Sequence, residues 1–94
     1  MAEGERRSRL RIIVSGQVQG VFFRAGARDE AMRLGIAGFA RNNPDGSVLI
    51  EAEGSPSAVE RFRTWCATGP PRARVDHIDV SPIDLRGERT FVTQ

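Results

Sequence analysis

The chain has 94 residues, enough for one small domain with a single hydrophobic core, which excludes a multidomain protein. Hydrophobic residues make up 39% and charged residues 28%, a balance typical of soluble globular proteins that excludes a disordered chain and a membrane span. All 14 basic residues are arginine and 12 residues are acidic, so the net charge is only +2, without the large basic excess of a dedicated nucleic-acid-binding domain.

The start of the chain is charged, and its apolar run is too short for a signal peptide or a membrane-spanning helix. Cys66 is the only cysteine, which excludes an intrachain disulfide. We therefore expect a cytoplasmic protein. Residues 1–8 are predicted to form a flexible tail before one domain over residues 9–94; the alternative is a binding arm made of Arg6, Arg7 and Arg9.

The first two elements are a strand and a helix. Apolar and basic residues largely alternate from residue 9 to residue 14, which predicts a strand with one buried face, and the glycines that follow, Gly16 and Gly20, are expected to end it. Apolar residues at helical spacing then follow on one face of a helix over residues 22–34: Phe23, Ala27, Ala31 and Leu34. Gly35 is expected to cap this helix.

A hairpin and a second helix come next. Two strands are predicted from about residue 36 to 42 and from 48 to 54, joined by the turn sequence "NNPDG". Ser55 and Pro56 then form a typical helix start. The apolar face of this second helix contains Val59, Phe62 and Cys66, and "GPP" ends it.

The last region predicts a strand over residues 73–80 and a short one around Phe91. The apolar positions Val75, Ile78 and Val80 break the two-residue period once, which indicates a bulge or a bend. Two strand–helix–strand units sharing one antiparallel sheet, with both helices on one face, predict an α+β ferredoxin-like βαββαβ sandwich. This fold hosts many functions, so it does not choose among them.

The stretch "VSGQVQGVFFR" carries the first functional signal. A strand, a glycine-containing turn and a helix start bring several backbone N–H groups together, and such groups bind anions. Gln17 and Gln19 are either solvent-facing spacers or extra donors. Arg24, in the first helical turn, can bind a phosphate through two donors. The alternative is an ordinary strand-to-helix connection with a surface arginine.

The residues also resemble a known family. "GQVQGVFFR", residues 16–24, resembles the first signature of the acylphosphatase family, G-x-V-Q-G-V-x-F-R. "GFARNNPDGSVLIEAEG", residues 38–54, resembles its second signature, and "GPPRARV", residues 69–75, resembles the stretch after the second helix in many members. The resemblance covers essentially all of the chain after the predicted tail.

This resemblance implies hydrolysis of small acyl phosphates to a carboxylate and inorganic phosphate. We expect a monomer without cofactor, metal, membrane or nucleic-acid partner. The resemblance also implies that Arg24 binds the phosphate and that Asn42 orients the attacking water. Without the resemblance, the turn chemistry favours Asn42 as a turn-forming residue over a catalytic one. The implied substrate-binding loop comprises Gln17, Val18, Gln19, Gly20, Val21, Phe22 and Phe23.

The residue content fits this chemistry. An acyl phosphate is an activated anhydride, so positioning and charge stabilisation can suffice without a strong nucleophile or a metal. The chain has one histidine and one cysteine and lacks a metal-ligand motif. We expect His77 at the surface or a sheet edge and Cys66 to be a buried thiol. The substrate phosphate is a candidate for accepting the proton of the water.

A second hypothesis, from another class, is a non-catalytic module that binds RNA or a partner protein. An RNA-stacking surface requires two exposed aromatic side chains on the open sheet face, chosen from Phe22, Phe23, Phe39 and Trp65.

One residue departs from the family pattern: many members carry a bulky residue at the position of Gly26. A glycine there is expected to remove a packing neighbour of the loop.

Overall fold

The structure is a computed structural model that describes residues 6–94; residues 1–5 of the predicted tail lie outside the described residues. Within residues 6–94, strands and helices follow in the order β1 (Ser8–Gln17), α1 (Phe23–Leu34), β2 (Ala37–Asn42), β3 (Val48–Gly54), α2 (Pro56–Thr68), β4 (Arg74–Pro82) and β5 (Phe91–Thr93). The predicted order of elements is confirmed. No helix of the described chain is long and apolar enough to cross a membrane.

The sheet has the strand order β4-β1-β3-β2-β5. The first four of these strands pair antiparallel, as predicted for a ferredoxin-like fold. The short strand predicted around Phe91, β5, pairs parallel to β2 at one edge, with Gly38 opposite Phe91. The sheet is therefore mixed, with β5 added beyond the βαββαβ unit.

Both helices cover one face of the sheet and enclose the core with it. Inward-facing residues of the central strands, such as Ile12 and Ile50, are fully buried. They pack in one cluster with the buried helix residues Phe23, Ala27, Ala31, Val59, Phe62 and Cys66. These are the apolar faces that the helical spacing predicted. Burial of such faces is the main source of stability for helices of this length.

Strand β1 continues through Gly16 and ends at Gln17, before Gly20, so it ends within the glycine-containing segment as predicted. Ser15 pairs with His77 whereas Gly16 pairs with Val75, which leaves Asp76 as an extra residue of β4. The bulge predicted for this region is thereby confirmed. A Cβ atom at residue 16 would lie 2.2 Å from the carbonyl oxygen of Arg74, so the close approach of the two strands requires glycine.

The opposite face of the sheet carries a buried ionic cluster. Arg9 is 1% exposed, and its guanidinium binds Glu51 at 2.8 Å and Glu53 at 2.9 Å. Residues 83–90 cover this cluster, and the backbone N–H groups of Arg86 and Gly87 donate to Glu53 at 2.8 and 2.9 Å. Arg9 therefore belongs to the folded domain, and the alternative that it forms part of a binding arm is wrong.

Candidate active site

The loop between β1 and α1 is anchored at both ends by apolar side chains. Val18, the first residue after β1, and Phe23, the first residue of α1, are each 1% exposed and lie in the core. Their side chains therefore face away from solvent, and only their backbone can meet a ligand. Between them the chain turns through left-handed backbone at Gly20, with φ of 74°, and at Phe22, with φ of 63°.

Phe22 combines an unfavourable backbone conformation with an exposed side chain. It is the residue before the first turn of α1, and its side chain makes no capping hydrogen bond. A left-handed conformation is rare for a bulky residue and costs roughly 1–2 kcal/mol. The side chain is 72% exposed, so burial does not offset that cost. Strain of this kind concentrates at functional sites.

One open cavity of about 350 Å³ brings the predicted catalytic residues together. Its walls come from the loop, the first turn of α1, the end of β2 and β5: Val18, Gly20, Phe22, Phe23, Arg24, Ala25, Asn42 and Thr93. Arg24 and Asn42 thus share a cavity with four of the seven predicted loop residues. The remaining three, Gln17, Gln19 and Val21, do not line it.

Arg24 reaches this cavity from the first turn of α1. Its Nη1 donates a hydrogen bond to the backbone carbonyl of Gln94 at 2.5 Å. Within residues 6–94, no Asp or Glu side chain forms an ion pair with Arg24. The guanidinium is thus held beside a cavity without an acidic side chain paired to it, which favours an anion there. The contact with Gln94 had no signal in the sequence, since its acceptor is a backbone carbonyl.

Asn42 lies at the end of β2, where it pairs with Val48 of β3. Its side chain is exposed, and no residue of the described range 6–94 forms a hydrogen bond with its carboxamide. Both an acceptor oxygen and two N–H donors are thus available to a ligand or a water molecule. The strand pairing holds the backbone that carries them.

Gln19 connects the loop to the turn that follows Asn42. Its Nε2 donates to the backbone carbonyls of Asn43 at 2.8 Å and Ser47 at 2.9 Å. The turn itself is closed by the Asn43 N–H, which donates to the Ser47 carbonyl at 2.8 Å. The Ser47 hydroxyl and N–H both donate to Asp45, and these bonds, the hydroxyl first, lower the pKa of that carboxyl. Gln19 is therefore neither a solvent-facing spacer nor a donor that lines the cavity. Its side chain joins the loop to the turn after Asn42 by hydrogen bonds.

Trp65 of α2 occupies the space beside Gly26. A Cβ atom at residue 26 would lie 3.1 Å from Cζ2 and 3.2 Å from Cη2 of Trp65. The indole also contacts the ring of Phe23 edge-to-face, with 5.5 Å between ring centroids. The expectation that Gly26 deprives the loop of a packing neighbour is therefore wrong, because Trp65 supplies that contact from the other helix.

The remaining candidate residues lie away from the cavity. His77 is exposed on the edge strand β4, 3.5 Å from Asp79, and Cys66 is fully buried, where desolvation strongly raises the pKa of its thiol. Both placements match the predictions. Among residues 6–94, no three His, Cys, Asp or Glu side chains are grouped so that they could hold a metal ion.

The four aromatic residues considered for RNA stacking do not form a surface on the open sheet face. Phe23 and Phe39 are buried, and Trp65 is half-buried between the helices. Phe22 is the one exposed ring of the four, and it lies in the loop rather than on the sheet. The condition for the RNA-binding alternative is therefore not met.

Comparisons with known proteins give one consistent result. The sequence model of the Acylphosphatase family matches residues 10–93. An acylphosphatase of Anaeromyxobacter dehalogenans is 52% identical over 82 residues, which cover 87% of this chain and 88% of that protein. The crystal structure of an acylphosphatase from Bacillus subtilis superposes with a TM-score of 0.90 at 38% identity, covering 93% of this chain and 98% of that one. For an acylphosphatase from Coxiella burnetii the TM-score is 0.91 at 30% identity, with 96% and 95% covered.

Proposed function

The chain belongs to the acylphosphatase family and hydrolyses acyl phosphates, and we propose that Arg24, Asn42 and the backbone of residues 17–23 carry the reaction. The reaction splits the anhydride between a carboxylate and a phosphate into the free carboxylate and inorganic phosphate. The observation that supports these roles most strongly is the shared cavity, which has Arg24 and Asn42 in its walls together with the loop.

The phosphate group is bound by Arg24 and by backbone N–H groups of the loop. No Asp or Glu side chain within residues 6–94 pairs with the guanidinium, and only its Nη1 is engaged, by the main-chain oxygen of Gln94. Its Nε and Nη2 groups can therefore donate to two phosphate oxygens at once. The left-handed residues Gly20 and Phe22 curl the loop backbone, a geometry that supports N–H groups converging on an anion.

The attacking water is oriented by Asn42. Its carboxamide is exposed to the cavity, and its uncharged oxygen can accept a hydrogen bond from the water. A carboxylate at this position would repel the phosphate dianion. The water oxygen forms the new bond to phosphorus as the bond from phosphorus to the acyl oxygen breaks, and the carboxylate leaves with the bonding electron pair. The substrate phosphate accepts the proton of the water.

Positioning and charge are sufficient for this reaction because the leaving group is a stabilised carboxylate. Phosphoryl transfer relies on alignment and on neutralising the charge of the equatorial oxygens, not on a covalent intermediate. Arg24 and the loop supply the charge, and Asn42 supplies the alignment. His77 and Cys66, the two side chains most often used as base or nucleophile, lie outside the cavity.

We further propose that the enzyme acts as a monomer in the cytoplasm. Residues 83–90 cover the sheet face opposite the helices through the Arg86 and Gly87 bonds to Glu53, which leaves less of that face for a second copy. The one cysteine is buried and unpaired, as in proteins of a reducing compartment.

The direct test is phosphate release from benzoyl phosphate in the presence of EDTA, with phenyl phosphate as the control substrate. The two compounds share a ring and a phosphate, but phenolate is a much poorer leaving group than benzoate. We expect rapid hydrolysis of benzoyl phosphate and none of phenyl phosphate above background. No release from benzoyl phosphate, or equal release from both compounds, would contradict the proposed function.

A further inference from the structure

Phe22 is an exposed aromatic side chain at the cavity that holds Arg24. We propose that its ring binds the acyl group of the substrate and makes the enzyme prefer acyl phosphates with an apolar, ring-bearing acyl group over those with a small one. This inference rests on the proposed function. It adds a specificity-determining residue and a substrate class to it.

Folding alone does not account for a phenylalanine at this position. The side chain is 72% exposed, and it makes no capping bond for α1. The neighbouring Val18 and Phe23, each 1% exposed, already anchor the loop in the core. The left-handed backbone at φ of 63° is one that glycine adopts without strain. The chain thus keeps a bulky ring where both the backbone and the packing would be served by a smaller residue.

The ring is placed where the acyl group must go. Phe22 and Arg24 line the same cavity and are two residues apart, so a substrate whose phosphate is bound by Arg24 has its acyl end near the ring. The cavity volume of about 350 Å³ falls within the range of sites for small organic ligands, roughly 300–1,000 Å³, and exceeds what a phosphate alone requires. Room for an acyl group therefore remains beside the phosphate.

The chemistry of the ring selects apolar over anionic acyl groups. An aromatic face carries partial negative charge and packs well against another ring or an aliphatic group. Four large apolar side chains are exposed among the described residues: Phe22, Met32, Leu85 and Val92. Of these four, Phe22 is the one that lines this cavity.

The test compares kcat/KM for benzoyl phosphate and acetyl phosphate in the parent enzyme and in Phe22→Ala, Phe22→Leu and Met32→Ala. Met32 is the matched control, because it is a large apolar side chain that is 64% exposed, on the helix that follows Phe22, but does not line the cavity. We expect the benzoyl-to-acetyl ratio to fall about tenfold in Phe22→Ala and by less in Phe22→Leu, which keeps apolar surface without the flat ring. The ratio in Met32→Ala should match that of the parent.

Equal loss of both activities in the Phe22 variants, or an unchanged ratio, would overturn the proposal, since the ring would then act on the loop and not on the acyl group. Leucine keeps a bulky side chain, so Phe22→Leu still decides the question if the alanine variant does not fold. Failure of the proposed function is a separate outcome: the parent itself would hydrolyse neither compound.

Discussion

The Gln19 side chain donates a hydrogen bond to the carbonyl of Asn43 at 2.8 Å, which ties the loop after β1 to the residue next to Asn42. A second bond from the same nitrogen to the Ser47 carbonyl, at 2.9 Å, closes the link on the other side of the turn. One side chain thereby fixes the loop that we propose to bind phosphate relative to the asparagine that we propose to orient the water.

Replacing Gln19 by alanine should therefore affect both stability and turnover. Loss of two partly buried hydrogen bonds should lower the free energy of unfolding by about 1–2 kcal/mol, measured by urea denaturation. Looser placement of Asn42 should lower kcat by about tenfold or more at saturating benzoyl phosphate. His77→Ala, on the edge strand away from the cavity, is the control. A stability loss with unchanged kcat would show that the link serves folding only.

Asn42→Ala should separate turnover from phosphate binding. The proposed partner of Asn42 is water, so kcat should fall by about 10²-fold while inhibition by inorganic phosphate stays close to that of the parent. Asn42→Asp should instead weaken phosphate inhibition as well, because a carboxylate repels the dianion. An equal loss of kcat and of phosphate affinity in Asn42→Ala would assign this residue to binding.

The buried cluster around Glu53 predicts a loss of stability in acid. Burial acts to raise the pKa of Glu53, but the Arg86 and Gly87 N–H groups and the Arg9 guanidinium outweigh it, and the pKa is lowered. A carboxyl whose pKa is lower in the folded state contributes stability above its unfolded pKa of about 4.3, and this is lost as pH falls through the folded value. The free energy of unfolding should therefore decrease below about pH 4.3.

Glu53→Gln tests this assignment. Breaking the buried pair should lower the free energy of unfolding at pH 7 by roughly 3 kcal/mol, and the difference from the parent should shrink towards pH 3. Glu60→Gln is the control, because Glu60 is exposed and its ion pair with Arg63, at 3.4 Å, lies at the surface, where such pairs contribute little to stability. The same difference from the parent at both pH values would contradict a titrating Glu53.

Gly26 and Trp65 should show energetic coupling. In the parent, a methyl group at residue 26 would lie 3.1 Å from the indole, so the helix propensity gained in Gly26→Ala is offset by crowding. In a Trp65→Ala background the crowding is absent, and Gly26→Ala should stabilise the protein by up to ~1 kcal/mol. A double-mutant cycle in urea measures this. Equal effects of Gly26→Ala in both backgrounds would mean that Trp65 does not fill that space.

Much of the fold could be predicted because its signals are local. The spacing of Phe23, Ala27 and Ala31 is enough to predict α1, and the Ser55–Pro56 pair marks the start of α2. The family signatures supplied Arg24 and Asn42. Strand β5 was placed correctly along the chain, but its parallel pairing with β2 was missed, since a three-residue strand carries no directional signal.

The missed features of the site all depend on contacts between distant segments. The acceptors of Gln19 are backbone carbonyls 24 and 28 residues away, and every residue has such a group, so no residue type marks them. The Arg24 contact with the Gln94 carbonyl, 70 residues away, is hidden for the same reason. The segment that covers Glu53, residues 83–90, is irregular, so its sequence has no periodicity from which this contact could be predicted.

The most direct measurement is kcat/KM for benzoyl phosphate in Arg24→Ala, Arg24→Lys and Arg28→Ala. Arg28 is the matched control: it lies one helical turn further along α1, is exposed and does not line the cavity. In Arg24→Ala, kcat/KM should fall by at least ~10²–10³-fold, roughly 3–4 kcal/mol of transition-state stabilisation. Arg24→Lys should not restore it, because an ammonium cannot donate two parallel hydrogen bonds to the phosphate as a guanidinium does. Arg28→Ala should retain the parent value. Hydrolysis by Arg24→Ala at the parent rate would contradict the assignment of the active site.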